Sequence, residues 1–350
     1  IVGDIELFVR EARAPIAAIT GTNGKSTVTT LVARMAEAAG KRVLAGGNLG
    51  RPALDLLDEP TPDLYVLELS SFQLDTTRSL HAAAAVVLNV TPDHMDRYAS
   101  LEEYAASKAR IFERCDAAVV NLDDPAVRAM PYRAARVLGF SVMADSSADY
   151  YAVPQGDDVA LMHRRERLLM MSELKIAGMH NVANALGALA MCDALRLPFE
   201  PCVRVLREFA GLPHRSQWVA DIAGVRYVND SKGTNVGATL AAVAGMPGSL
   251  VLIAGGQGKG QDFAPLAAAL RTKVRHAVLI GQDARLLEAA LRGSVSTELA
   301  RDMDDAVQRA ARAAHAGETV LLSPACASLD MFRDYGHRGD VFAAAVRRLQ

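Results

Sequence analysis

The sequence predicts an α/β protein made of two consecutive domains, each organised around a parallel sheet. Three observations predict it. Short, continuous apolar runs recur along the chain, such as "LYVLEL" and "SLVLIA", and runs of that kind suit strands covered on both faces. Segments with helical periodicity separate them, as crossover connections would. A polar motif follows run after run, at the carboxyl ends where open parallel sheets bind their ligands.

The elements follow in order. "APIAAIT" is an apolar run stopped by Gly21. A helix follows from Lys25, with Val28, Leu31, Val32, Met35 and Ala39 on one face and Gly40 as its stop. "LYVLEL" (64–69), "AAVVLNV" (84–90) and "AAVVN" (117–121) read as further strands. Residues 136 to 178 are more polar and read as short hairpins or an irregular insertion. A helix begins near His180, with Val182, Leu186, Leu189 and Ala190 on its apolar side. "GLPHRSQ" (211–217) separates two periodic blocks and marks the boundary, which gives domains 1–211 and 212–350. "VRYV", "SLVLIA", "HAVLIG" and "TVLLS" then supply a second strand series.

Bulk properties narrow the function. With 350 residues, about half of them apolar, the chain is globular and long enough for two domains. A formal net charge of −2 gives no reason to expect nucleic acid or an anionic membrane as partner. No apolar run approaches the roughly 20 residues that span a bilayer. Cys115, Cys192, Cys202 and Cys326 lie far apart with no C-x-x-C pair. That is neither a zinc site nor a disulfide framework, and it fits a reducing cytoplasm. The chain opens on Ile1 and not Met, which suggests an upstream segment.

Chemistry collects at the strand ends. "TGTNGKST" (20–27) has the glycines, lysine and hydroxyls of a phosphate-binding loop. Ile19, however, stands where the Walker pattern has its first glycine. Glycines let backbone N–H groups turn toward an anion, and the next helix offers its positive end. Lys25 could reach terminal phosphates, and Ser26 or Thr27 could offer a hydroxyl to Mg²⁺. On this motif alone, an ordinary strand-to-helix turn reads equally well. Glu68 ends its strand, with Ser70 and Ser71 just after it, and is an oxygen ligand suited to Mg²⁺. His94, with Asp93 and Asp96 beside it, is a less usual magnesium ligand and by itself reads as structural.

Lys108 lies on the apolar stripe of Leu101, Tyr104, Ala105, Ile111 and Phe112. Either it snorkels past the stripe's edge, or it is buried and neutral. A neutral lysine can add CO2 and become an anionic carbamate, a ligand for a second metal. Asn181 and Asn184, one turn apart, are helix caps or nucleotide contacts. Arg215 is a solvated arginine or a phosphate ligand. "NDSKGTN" (229–235), "GGQGKG" (255–260) and "SPACAS" (323–328) complete the polar rim, although each also reads as a plain turn and Lys259 as a surface lysine.

Taken together, "GTNGKST", "LELSSFQL", "LNVTPDHMDRY", "YAASKARI", "HNVANALGALA", "LPHR", "NDSKGTN" and "SPACASLDMF" closely resemble the Mur ligase family. They occur in the family's order and span nearly the whole chain. The family includes several peptidoglycan ligases and the folylpolyglutamate synthases. The resemblance makes "GTNGKST" that family's compact P-loop. "NDSKGTN" points to the branch that joins D-glutamate to UDP-N-acetylmuramoyl-L-alanine (UDP-MurNAc-L-alanine).

The resemblance implies a central P-loop-type ATPase domain, a Rossmann-like C-terminal ligase domain, and the absence from this chain of the family's N-terminal uridine-binding domain. It implies a monomeric cytoplasmic enzyme of peptidoglycan precursor synthesis that uses ATP and two Mg²⁺ ions. Gly21, Thr22, Asn23, Gly24, Lys25, Ser26 and Thr27 would hold phosphates. Ser26, Glu68, His94 and a carbamylated Lys108 would hold metal. Asn48, Ser71 and His94 would meet the muramoyl-alanine end. Asn184, Arg215 and Asp230 would contact nucleotide. Thr234, Lys259, Ser328 and the backbone near Tyr335 would hold the carboxylates of D-glutamate. Two other readings stay open at this point: another amide ligase of the family, such as a folylpolyglutamate synthase, or an ATP-binding protein without ligase activity.

Overall fold

The computed structural model describes residues 2–48, 50–95, 97–144, 147–176 and 178–349; Asp96 therefore lies outside the described residues. The chain forms two compact units, Ile1–Lys175 with Asn181–Phe209, and Ile176–His180 with Ala210–Gln350.

Among the described residues, the first unit holds a nine-stranded sheet. Its strands are β1 (Ile16–Thr20), β2 (Val43–Gly47), β3 (Leu64–Glu68), β4 (Ala82–Val87), β5 (Cys115–Asn121), β6 (Arg136–Ser141), β7 (Tyr150–Gln155), β8 (Asp158–His163) and β9 (Glu166–Met170). The order is β2-β3-β1-β4-β5-β6-β7-β8-β9. Pairing is parallel from β2 through β7 and antiparallel from β7 to β9. Every residue of β1 and β3 is buried, as strands covered on both faces must be. The polar stretch 136–178 thus continues the sheet with β6 and then adds hairpins.

The second unit holds β10 (Gln217–Ile222), β11 (Val225–Asn229), β12 (Leu250–Gly255), β13 (Val274–Ile280), β14 (Ser296–Leu299) and β15 (Thr319–Leu322). Their order is β10-β11-β15-β12-β13-β14, parallel except for the β10–β11 hairpin. Side chains alternate between its two faces. Leu250, Leu252, Ala277, Leu279 and Leu321 fill one core, and Val251, Ile253, Val278, Ile280, Val320 and Leu322 fill the other.

Two helices place the first unit's chemistry. Lys25–Ala38 buries Val28, Leu31, Val32 and Met35, and ends before Gly40 at φ 83°, the left-handed stop that glycine tolerates. Leu101–Ala109 starts at Ser100, whose hydroxyl accepts from the Glu103 N–H. A 3₁₀ turn, Arg110–Phe112, then swings Ile111 and Phe112 into the core. Lys108 sits on the buried side of that helix, 1% exposed.

Candidate functional site

The loop after β1 is fixed from several sides. Gly24 caps the next helix at φ 84°, and a Cβ there would lie 2.3 Å from Asn184 Oδ1. Only glycine meets both conditions. Asn89 clamps the loop, accepting from the Asn23 N–H (2.8 Å) and donating to the Asn23 carbonyl (3.1 Å). Thr22 N–H donates to the Asn89 carbonyl, and Thr22 Oγ1 accepts from the Thr91 N–H (3.1 Å). Ser26 and Thr27 are buried at the start of the helix. Lys25 Nζ folds back onto the carbonyls of Gly21 and Thr22, 2.9 Å from each.

Glu68 ends β3 and is 2% exposed. Its Oε1 accepts from Asn48 Nδ2 at 2.7 Å, whereas its buried Oε2 has no hydrogen-bond partner. A buried carboxylate oxygen left unmatched is costly unless a cation or donor meets it. Among the described residues no three His, Cys, Asp or Glu side chains converge as a metal cage. Mg²⁺ in phosphoryl-transfer sites usually takes one or two protein oxygens and fills its sphere with phosphate and water. The donor set of Glu68 and a loop hydroxyl fits that habit.

Lys108 Nζ donates to the Gly21 carbonyl at 2.9 Å and lies 4.5 Å from the centre of the Tyr104 ring. Burial holds its pKa well below the ordinary lysine value. Lys25 lowers it further, and Asp93 and Asp75 oppose the shift. The snorkelling alternative is thereby overturned. His94 sits at φ 57°, its ring 4.8 Å from Phe72 and 6.4 Å from Tyr104, with Nε2 3.8 Å from Asp93 Oδ2. Ser71 is buried, and its carbonyl accepts from Ser107 Oγ (3.0 Å). On the helix Met179–Ala194, Asn184 Nδ2 donates to Asn181 Oδ1 (3.2 Å).

The second unit has its own polar rim. Asp230 Oδ2 accepts from Ser323 Oγ (2.8 Å) and Oδ1 from the Ser216 N–H (3.0 Å). Burial still lifts its carboxyl to about 6, against those bonds and the charge of Arg215. Gly233 N–H closes a turn onto the Asp230 carbonyl, and Thr234 follows it. Lys259 is exposed at φ 52°. Ser328 is 3% exposed, and its carbonyl accepts from the Met331 and Phe332 N–H groups. Tyr335 opens a helix, its ring 3.9 Å from Lys232 Nζ.

Sequence reading missed Asn89 and Arg338. Asn89 interrupts an apolar run directly after a strand, a usable signal. Arg338 is fully buried and lies on the same helical stripe as Phe342, Ala345 and Val346, the same pattern that exposed Lys108.

Comparison with known proteins agrees with this layout. Residues 19–192 match the Mur ligase middle domain, and residues 214–326 match the Mur ligase, glutamate ligase domain. The chain is 51% identical over 351 residues to the UDP-N-acetylmuramoylalanine–D-glutamate ligase of Nitrosococcus oceani, covering all of this chain and 78% of that relative. It is 49% identical over 358 residues to the enzyme of the same name from Legionella pneumophila, covering all of this chain and 80% of that one. Among solved structures, the MurF ligase of Thermotoga maritima in complex with ADP superposes with a TM-score of 0.75 at 17% identity, over 99% of this chain and 83% of that one, a likeness of fold. With both of the family's matched domains spanning most of its length, and about half its residues shared across the whole chain with such relatives, this chain belongs to the Mur ligase family.

Proposed function

We propose that the protein is an ATP-dependent, ADP-forming ligase that joins D-glutamate to UDP-MurNAc-L-alanine, a cytoplasmic step of peptidoglycan precursor synthesis. The single observation that carries the reading is half-identity, over the whole chain, to relatives named for that reaction. The folylpolyglutamate synthase alternative is not favoured. E. coli FolC in complex with ADP, without folate substrate, is 19% identical, a likeness of fold alone.

The chemistry follows from a poor leaving group. A carboxylate oxygen of the alanyl end takes the γ-phosphoryl group of ATP, and ADP departs. The amine of D-glutamate then attacks the acyl carbon. The tetrahedral adduct loses a proton and expels phosphate, which leaves the amide. Protein groups supply position and charge balance in such transfers.

In this reading the N–H groups of Gly24 to Thr27 cradle the phosphates, Gly21, Thr22 and Asn23 shape the loop around them, and Lys25 moves from the loop carbonyls to their charge. Glu68 Oε2 and Ser26 would hold one Mg²⁺, and His94 and a carbamylated Lys108 would hold a second. The ions would neutralise charge that builds on phosphoryl and carboxylate oxygens. Asn48, Ser71 and His94 orient the muramoyl-alanine end, and Asn184, Arg215 and Asp230 the nucleotide. Thr234, Lys259, Ser328 and the Tyr335 backbone fix the two carboxylates of D-glutamate, for which hydroxyls and an ammonium are suited donors. We also propose that the boundary between the middle and ligase domains falls between residues 211 and 212.

The test is ADP release with ATP, Mg²⁺ and UDP-MurNAc-L-alanine, with and without D-glutamate. It is run on this chain and on one extended at its amino end with a relative's residues. Release that requires D-glutamate in either form supports the reading. Release driven by a folate and glutamate instead, or silence in both forms, overturns it.

A further inference from the structure

We propose that Arg338 is a positioning residue for the D-glutamate site, its buried guanidinium locking together the four segments that carry the proposed D-glutamate contacts. The inference rests on the reaction proposed above.

Arg338 is 0% exposed and heads the largest fully buried side chains. Its Nε donates to Ser231 Oγ (2.9 Å) and Nη2 to the Ser231 carbonyl (2.8 Å). Nη1 donates to the carbonyls of Cys326 (3.0 Å) and Gly255 (3.5 Å). Ser231 Oγ in turn donates to the Tyr335 carbonyl at 2.8 Å. Each tie lies a few residues from a proposed D-glutamate contact. Ser231 precedes Thr234, Gly255 precedes Lys259, and Cys326 precedes Ser328. Tyr335 is such a contact itself.

No carboxylate hydrogen-bonds this cation among the described residues; its acceptors are neutral carbonyls and a hydroxyl. Desolvating a cation for such partners is a poor way to gain stability, since an apolar side chain of equal volume would fill the space at lower cost. Two properties of arginine answer the cost. Its planar fork fixes several acceptors in one geometry, which lysine's single ammonium cannot do. Its charge also persists, because burial lowers its pKa only to about 10. A fixed cation among the segments that bear those contacts favours a dicarboxylate.

The test uses Arg338→Lys, Arg338→Met and Ser231→Ala in the active form of the enzyme. Two rates are read. One is D-glutamate-dependent ligation, resolved into kcat and KM. The other is hydroxamate formation from ATP, UDP-MurNAc-L-alanine and hydroxylamine, where hydroxylamine takes the acyl group and phosphate leaves. Hydroxylamine has no carboxylates and bypasses the D-glutamate contacts. Arg338→Lys should raise KM for D-glutamate about tenfold or more, as loss of one or two charge-assisted bonds would. Ser231→Ala should move it the same way by less, and both should keep hydroxamate formation within about twofold. Should Arg338→Met fail to fold, the other two variants decide. The proposal is overturned if D-glutamate KM stays within twofold in both, or if ligation and hydroxamate formation fall together. A parent enzyme without D-glutamate-dependent release would instead remove the proposed reaction.

Discussion

Lys25 and Lys108 donate to the same atom: each Nζ lies 2.9 Å from the carbonyl oxygen of Gly21. One lysine opens the helix after the loop. The other arrives on a helix 87 residues beyond Gly21. A carbonyl has two lone pairs and can accept both bonds, but two ammonium groups so placed repel each other. The more buried one yields its proton more readily. Burial, and then the charge of Lys25, hold Lys108 well below the usual lysine pKa. A neutral amine is the form that takes up CO2.

Lys108→Ala should therefore lower ligation at least about a hundredfold, the scale of losing an anionic ligand to a catalytic metal. Bicarbonate should restore nothing, because no amine remains to carry it. Formate or acetate should restore part, by supplying the lost oxygens. Full activity in the variant would end the carbamate proposal. A carbamate carbon signal in the parent after ¹³C-bicarbonate, absent from the variant, is the direct check.

Glu68→Gln keeps an oxygen for Asn48 and removes the charge from the orphaned side. Its melting temperature should stay within a few degrees of the parent's, since one polar group replaces another of equal size. Its Mg²⁺ requirement should rise about tenfold or more, because a carboxylate binds the ion far better than an amide does. A magnesium titration of ADP release is the measurement. An unchanged titration would remove Glu68 from the metal site.

Much of this was legible in the sequence, and the reason is local. β3, β4, β12 and β15 are buried on both faces, so their apolar runs are continuous and visible. β2, β10 and β14 are partly exposed edge strands without such runs, and they were missed. Lys108 could be read because a cation on an apolar stripe conflicts with its neighbours. That conflict did not reveal the partner, since Gly21 is brought to it by tertiary packing. Arg338 shows the same conflict, but its partners lie on two loops and at the end of β12, which no local pattern brings together. The polarity of residues 136–178 reads as hairpins, which β7 to β9 form, half exposed, but it hides β6, which extends the parallel sheet.

Gly24→Ala tests whether the loop's shape matters apart from its charges. A methyl group would meet Asn184 Oδ1 at 2.3 Å, and the backbone would stay at φ 84°. Strain of that kind costs on the order of 1–3 kcal/mol. The variant should melt several degrees lower and bind ATP at least about tenfold more weakly, as about 1.4 kcal/mol of binding energy would give. Calorimetric titration of ATP reads the second effect. Unchanged affinity would mean the loop does not hold the nucleotide.

His180 and Asp230 oppose each other in their dependence on pH. His180 Nδ1 is buried without a partner, and Nε2 lies 3.5 Å from Ser216 Oγ, whose backbone N–H donates to Asp230. Burial lowers His180 from 6.5 to about 4 and raises Asp230 from 3.8 to about 6. Between about 4 and 6.5 the unfolded chain binds more protons at His180 than the folded one does, so that contribution grows as pH rises. Between 3.8 and about 6 the folded chain binds more at Asp230, so that contribution shrinks as pH rises. The two nearly cancel in the parent. Relative to the parent, His180→Asn should lose stability as pH rises from 4.5 to 6, and Asp230→Asn should gain it. Each difference approaches roughly 1.4 kcal/mol per pH unit at most. Denaturant midpoints at pH 4.5, 5.5 and 6.5 measure both slopes, and parallel curves for all three proteins would show that neither group is held as its burial requires.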